Sequence, residues 1–310
     1  MLELLTEALT KNPQLIISII EKSNYIAQQQ LGQDRGLSSA SQLFPVEIAI
    51  RYLASEQRLF KDYPDSLSSS LWSVDSILDY LGANAQSIAE IAGSNTMAKN
   101  LPQRAAHILW LMKQIENQFD NKNLLIIEIG SSATLVSKAL RHPEKFKQWL
   151  TDKPTAPRQI NNILNVPELN VIGVELNPPK ENWVLACIGD DNLRDEVRDF
   201  TKKFTQAIPQ VQGDGLFLPI NIKKEITPIV IACAMLYQLP SDKRNKMEEG
   251  IKNFIYPRGG LFIKTDPAKY LGMSDRPGNW LSWVENGRGS IVSPKILLSG
   301  KTFTQWNVIK

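Results

Sequence analysis

Apolar residues recur at three- and four-residue steps in "LELLTEALTKNPQLIISIIEKS", "FPVEIAIRYLASEQRLF", "LWSVDSILDYLGANAQSIAEIAG" and "RAAHILWLMKQIENQF". That spacing puts them on one face of a helix, so the chain up to about residue 120 is expected to be all-helical. Pro45 and Pro102 are expected near helix starts, where a missing N–H costs little. After Asn121 the pattern changes to short β-branched runs: "LLIIEIG", "LNVIGVEL", "QVQGDGLFL", "PIVIACAML" and "GGLFIKTDP". Strands alternating with helical stretches predict an α/β domain, a doubly wound, mostly parallel sheet with ligands at the carboxyl ends of its strands. The late runs "SPKILLSG" and "FTQWNVIK" predict a terminal antiparallel hairpin. The expected division is a helical N-terminal subdomain, residues 1–120, on the lid or substrate side, and an α/β domain, residues 121–310.

Composition narrows this picture. The chain has 310 residues, 43% apolar and 22% charged, with 35 basic and 32 acidic side chains and a formal charge of +3. No basic block stands out, so nucleic acid is not an expected partner. The two cysteines, Cys187 and Cys233, lie in apolar contexts, and the histidines are His107 and His142. No structural zinc site is expected; buried free thiols are. The first residues show neither a basic start with an unbroken apolar run nor a membrane span, which predicts a cytoplasmic protein without membrane contact.

The strand ends carry the chemistry. The first run ends at Glu128 and Gly130, the second at Glu175 and Leu176, the third at Gly213, Asp214 and Gly215, the fourth near Tyr237 and the fifth at Thr265 and Asp266. Polar groups at one edge of a parallel sheet define one crevice. A pyrophosphate fingerprint needs three glycines so that backbone amides can reach the phosphates. "GSSATL" keeps Gly130 alone, followed by Ser131, Ser132, Ala133 and Thr134. A cofactor without phosphates asks less of this turn. Glu175 can then accept from both ribose hydroxyls, in charge-assisted bonds worth roughly 1.5–3 kcal/mol each, and Asp214 can meet an adenine amino group. Each acid could instead cap a helix or end a strand in solvent.

Residues 124–310 resemble a class I S-adenosylmethionine-dependent methyltransferase, with a Rossmann-like sheet. "IIEIGSSA" is similar to its glycine motif, "VIGVEL" to its ribose acid, "QGDG" to its adenine segment, and "IVIACAMLYQLPSDKRNKMEEGIKNFIYPRGGLFIKTDP" to its fourth strand, helix and fifth strand. The resemblance implies S-adenosylmethionine as cofactor, held by Glu128, Gly130, Ser132, Glu175, Leu176, Asp214, Gly215 and Ala232. Most of the chain also resembles a bacterial domain-of-unknown-function family with a helical N-terminal half. "KNLPQRAAHIL" matches its helix-start motif at Asn100, Pro102 and Arg104, and by analogy Arg104 pairs with the methionine carboxylate of the cofactor. Three positions depart from that family: Thr134 replaces the second motif glycine, Leu101 a glutamate, and Ala232 a histidine.

Methyl transfer from a sulfonium needs alignment and exclusion of water, and a base only when the nucleophile starts protonated. No histidine stands at a strand end, which favours an ionised acceptor such as a carboxylate on a small molecule or peptide. Tyr237, Asp266 and His107 are the candidates for a catalytic role, with His107 read as a packed or surface residue. "YLGMSDRPGNWLSWVENGRG" reads as a loop or lid carrying Trp280 and Trp283, with Arg276 or Arg288 to hold an acidic substrate. Two other readings stand beside this one: a binding or partner protein that keeps the fold without transfer, and a dinucleotide-dependent reductase. The sequence does not choose an oligomeric state.

Overall fold

The computed structural model describes residues 1–31, 39–60, 67–95, 101–119, 123–213, 221–271, 278–299 and 302–309. The chain divides into two compact units, Met1–Lys99 with Pro179–Asp195, and Asn100–Pro178 with Glu196–Lys310. The first opens with α1 (Leu2–Lys11), α2 (Pro13–Leu31), α3 (Ser39–Glu56) and α4 (Val74–Ser94). The second takes up the chain with α5 (Ala105–Gln114), β1 (Leu124–Ile129), α6 (Leu135–Arg141), α7 (Pro143–Thr151) and β2 (Asn170–Glu175). Helix α8 (Glu181–Ala186) belongs to the first unit, and α9 (Asp191–Lys203) crosses the division. β3 (Gln210–Gln212), β4 (Thr227–Cys233), α10 (Ser241–Ile255), β5 (Leu261–Pro267), β6 (Trp280–Asn286), β7 (Lys295–Ser299) and β8 (Gln305–Ile309) complete the second.

In the helical unit, apolar stripes from α1 to α4 meet in one core that includes Leu5, Ile16, Val46, Ile50, Ile77 and Ile88. Ser73 and Ser76 form a capping box at the start of α4, each hydroxyl taking the other's backbone N–H, at 3.1 and 2.8 Å. Pro45 corrects the sequence expectation, for it lies inside α3 rather than near its start. The preceding stretch, Ser39–Gln42, is short of apolar residues, so hydrophobic periodicity gives that turn no mark. Arg51 on α3 is buried in an ion pair with Glu47 and donates to the Ala186 carbonyl at 3.3 Å, tying α8 to the helices.

The second unit is built on an eight-stranded sheet in the order β3-β2-β1-β4-β5-β6-β7-β8. Strands β1 to β5 pair in parallel, and β6, β7 and β8 are antiparallel to their neighbours. This is the expected doubly wound sheet with its terminal hairpin. The order reverses between β1 and β4, so the crevice of the fold opens at the carboxyl ends of those two strands. On one face, Ile127, Val230, Ala232 and Phe262 pack against Met247, Ile251 and Ile255 of α10.

The segment read as a loop carrying two tryptophans contains β6, an interior strand between β5 and β7. Its polar residues disguised it. Ser282 is fully buried and bonds across the ladder to Thr265 at 2.9 Å and to the Lys264 carbonyl at 3.1 Å, while Glu285 takes the Trp283 indole N–H at 2.7 Å. Polar side chains with such partners are compatible with a central strand.

Candidate active site

Where β1 ends, the backbone turns through an unusual run of left-handed residues. Gly130 has φ +68°, Ser132 +49° and Thr134 +60°, and α6 starts at the next residue. Gly130 is required twice over: its φ favours glycine, and a Cβ there would lie 2.8 Å from Met235 Cγ. The turn lies against β2, because the Gly130 and Ser131 N–H groups both donate to the Val174 carbonyl, at 2.9 and 3.3 Å. Gly173 admits this approach; a Cβ there would stand 2.5 Å from Ser131 Oγ. Gln210 on β3 secures the turn by donating to Ser131 Oγ at 3.0 Å and to the Ser132 carbonyl at 2.9 Å.

Glu175 ends β2 within reach of that turn. Its Oε2 accepts the Ser132 N–H at 2.7 Å and its Oε1 the Leu176 N–H at 3.0 Å. A carboxylate has about four acceptor positions, so lone pairs remain for a ligand after the head has been oriented. Ser132 Oγ is buried and has no hydrogen-bond partner among the described residues.

Glu128, one residue before the end of β1, is buried and accepts the Ser137 hydroxyl. Burial pushes its carboxyl up to about 8, against the opposing hydrogen bonds from Ser137, with nearby Glu175 adding to the rise and Arg104 reducing it. Glu128 therefore keeps its proton at neutral pH. Arg104 leaves the short 3-10 helix Pro102–Arg104 and lays its guanidinium over the Phe303 ring, 4.8 Å from the centroid. Burial lowers its pKa, opposed by Cys233, Tyr237 and Glu128. Its Nε has no hydrogen-bond partner among the described residues. A buried guanidinium N–H without a partner is a seat for a ligand's anion or lone pair.

The end of β4 is strained. Ala234 has φ +57°, held by its N–H to the Thr265 carbonyl at 3.0 Å and by the Gln238 side chain, which donates to its carbonyl at 2.9 Å. Beyond it, Tyr237 meets Trp280 edge to face at 5.1 Å, Trp280 meets Phe303 at 5.2 Å, and Phe303 meets His107 at 5.6 Å. His107 is fully buried, and burial then nearby Arg104 bring its pKa down to about 3, so it is neutral at working pH. Cys233, whose thiol burial raises to about 11, also faces Arg104.

Asp266 points to the other side of β5, the side of its alternate neighbour Lys264, which pairs with Glu248 at 2.7 Å. Burial raises the Asp266 carboxyl, countered by Lys264, Arg244 and a hydrogen bond from the Tyr237 backbone, with Glu248 adding to the rise. Its Oδ1 has no partner among the described residues. Ala232 is buried in β4 opposite Lys264. Trp283 is buried in mid-strand, with Lys264 5.0 Å from its ring, three residues inward from Trp280. Arg288 corrects the sequence expectation of a lid arginine: it stacks on Tyr256 at 4.8 Å, at the amino end of β5, because β6 runs antiparallel to β5 and carries the following turn away from the crevice. Asn100, Asp214, Gly215 and Arg276 lie outside the described residues. Among the described residues no three metal-ligating side chains cluster, and no helix is long and apolar enough to cross a membrane.

The structure thus gathers Arg104, Glu128, Gly130, Ser132, Glu175, Tyr237, Thr265 and Trp280 at the carboxyl edge of the sheet, and adds Phe303, Met235 and Gln210, which the sequence did not signal. Phe303 sits in "KTFTQW", where neither spacing nor charge marks it. A cleft of about 450 Å³ opens at the opposite edge, lined by Asn123, Arg141, Asn170, Lys223 and Glu225 among others. Volume alone does not make it the site; orphaned polar atoms and strained backbone collect at the carboxyl edge.

No family model and no curated protein matches the chain in sequence. Solved structures resemble it distantly. One is an S-adenosylmethionine-dependent methyltransferase from Clostridium acetobutylicum ATCC 824, 14% identical, covering 67% of this chain and 71% of that one, with a TM-score of 0.32. The CcbJ methyltransferase from Streptomyces caelestis is 13% identical over 69% of this chain and 73% of its own, with a TM-score of 0.30. The sugar N-methyltransferase KedS8 from Streptoalloteichus sp ATCC 53650 is 10% identical over 66% and 70%, with a TM-score of 0.27.

Proposed function

We propose that the second unit binds S-adenosylmethionine at the carboxyl edge of its sheet and transfers the methyl group to a small-molecule or peptide acceptor. The observation that carries this reading is the bond from the Ser132 N–H to Glu175, which joins the single-glycine turn at the switch point of the sheet to an acid at the end of β2. The residues fit such a cofactor: Gly130 leaves the chain unobstructed where a Cβ would strike Met235, and Ser132 Oγ and Arg104 Nε are buried without partners among the described residues. Three phosphate-binding glycines are not needed, which weighs against a dinucleotide.

Glu175 would take the ribose hydroxyls and Arg104 the methionine carboxylate. When bound, the sulfonium supplies a methyl carbon that a nucleophile displaces in line, with a neutral thioether leaving. The chain's task is alignment and exclusion of water. Tyr237 and Trp280 wall the edge beside β4, and Glu128, protonated at neutral pH, places no negative charge beneath the site. His107, neutral and with its pKa near 3, is too weak a base to take a full proton, in keeping with an acceptor that starts ionised, a carboxylate. Of the arginines assigned to such an acceptor, Arg288 is at the wrong edge and Arg276 lies outside the described residues.

Calorimetric titration with S-adenosylmethionine, its demethylated product and a nicotinamide dinucleotide tests the reading. Micromolar binding of either sulfur ligand, lost in Glu175→Ala, is the expected result. Binding of the dinucleotide alone would favour a reductase, and binding of none would leave a fold without transfer activity.

A further inference from the structure

The connection from β7 to β8 carries a residue whose backbone conformation does not suit its size. Phe303 has φ +59°, in the left-handed region, where a bulky side chain is an outlier and glycine would sit without strain. Residues in such connections lie mostly at the surface, yet Phe303 is 1% exposed. The chain is pinched around it, for the flanking hydroxyls of Thr302 and Thr304 bond each other at 2.8 Å. A strained, buried aromatic in this place has to be explained by what its ring touches.

The ring meets three groups at the carboxyl edge. His107 and Trp280 contact it edge to face, at 5.6 and 5.2 Å, and the Arg104 guanidinium carbon stands over it, 4.8 Å from the centroid. Two ring contacts thus hold its plane, and its face is given to a cation. Among the described residues Arg104 enters no ion pair, and its buried Nε meets no acceptor. An arginine without a carboxylate partner keeps its rotamer freedom and loses it only when a ligand arrives, at a cost to affinity. A ring face removes that freedom beforehand, because its negative quadrupole attracts the guanidinium while the Nε–H stays unspent.

We propose that Phe303 is a positioning residue: its ring holds the Arg104 guanidinium in place before a ligand arrives, and through that hold it sets the affinity for the ligand's carboxylate. The left-handed backbone at residue 303 is the strain that brings the ring to the cation. Which carboxylate is bound rests on the methyltransferase reading, in which Arg104 takes the methionine carboxylate of the cofactor; the hold on Arg104 does not.

The test replaces Phe303 by a trifluorinated phenylalanine, in which fluorine drains negative charge from the ring face and nearly keeps the ring's shape. In the ligand-free protein, nitrogen relaxation of the Arg104 Nε–H, assigned by its loss in Arg104→Lys, should report an ordered bond in the wild type and a mobile one behind the fluorinated ring. Calorimetry then compares S-adenosylmethionine with methylthioadenosine, which keeps the adenosine and the sulfur but lacks the carboxylate. The fluorinated ring should weaken S-adenosylmethionine binding about fivefold and leave methylthioadenosine unchanged. Phe303→Leu should go further in the same direction; the fluorinated protein carries the test if that variant does not fold. An Nε–H as ordered as before, an unchanged S-adenosylmethionine affinity, or an equal loss for both ligands overturns the proposal, the last because it marks a ring that only fills space. If neither ligand binds the wild type while the Nε–H still loosens, the cofactor reading fails and the hold on Arg104 stands.

Discussion

The two edges of the sheet invite comparison. At the amino edge a cleft of about 450 Å³ is framed by side chains with ordinary partners, such as Arg141, which bonds Glu168 at 3.0 Å and the Ala207 carbonyl at 3.4 Å. Its nearby turn uses a glycine, Gly259, for φ +62°. The carboxyl edge breaks both habits: Ser132, Thr134, Ala234 and Phe303 take positive φ without being glycine, and polar atoms of Arg104, His107, Ser132 and Asp266 are buried without partners among the described residues. Such features cost stability, on the order of 1–3 kcal/mol for each strained residue or unmet polar group. Arg258 Nε at the amino edge is also buried without a hydrogen-bond partner among the described residues, so the difference between the edges lies in the strained non-glycine backbone, and empty volume is a poorer guide to function.

The sharpest way to break this comparison is Glu175→Ala. Losing two charge-assisted bonds to a ribose, each worth roughly 1.5–3 kcal/mol, should lower S-adenosylmethionine affinity about 100-fold or more in a calorimetric titration. An unchanged affinity would remove the acid from the scheme.

The next largest effect is in the pH dependence of stability. Glu128 has a folded pKa raised from 4.5 to about 8, so the folded state holds a proton that the unfolded chain releases, and stability is lost as pH rises through that interval. His107 is lowered from 6.5 to about 3, so stability is lost as pH falls from 6.5 towards 3. The two cancel between pH 4.5 and 6.5, giving a plateau. Above it His107 no longer offsets Glu128, whose own contribution to the decline is about 2 kcal/mol by pH 8. Urea midpoints followed by tryptophan fluorescence should show this alkaline decline in the wild type and not in Glu128→Gln.

Strain gives a smaller pair of opposite effects. Ala234→Gly should raise stability by about 1 kcal/mol, because glycine adopts the left-handed region freely. Gly130→Ala should lower it by about 1–2 kcal/mol, since the new Cβ meets both the positive φ and Met235. Smallest of all is the amino-edge control. Arg141→Ala removes a partly exposed ion pair, so its cost should stay within about 1 kcal/mol and cofactor affinity should not move.

Much of the scaffold could be read in advance, since period-two and period-3.6 patterns report buried faces directly. β1, β2, β4, β5 and the final hairpin all follow such runs, as do α1, α2, α4 and α5. β6 escaped because Ser282 and Glu285 look like loop residues until their partners across the sheet are known. The turn of α3 before Pro45 escaped because it has few apolar positions. In the site, Glu175, Gly130 and Arg104 could be named from motif order and Thr265 from its place at a strand end, whereas Phe303 and Gln210 could not, since each acts through a neighbour far away in sequence.

What the amino-acid order determined by itself is therefore local and repetitive: the helical first part, the alternation of strand and helix, and the placing of acids and one glycine where strands end. These follow from side-chain period and backbone freedom, which each short segment carries within it. The tertiary structure alone decided that Glu175 reaches the Ser132 N–H, that Arg288 faces away from the crevice, and that His107 is buried against Phe303. Those outcomes depend on which strands pair, in which direction and in what register, and no short segment contains that information.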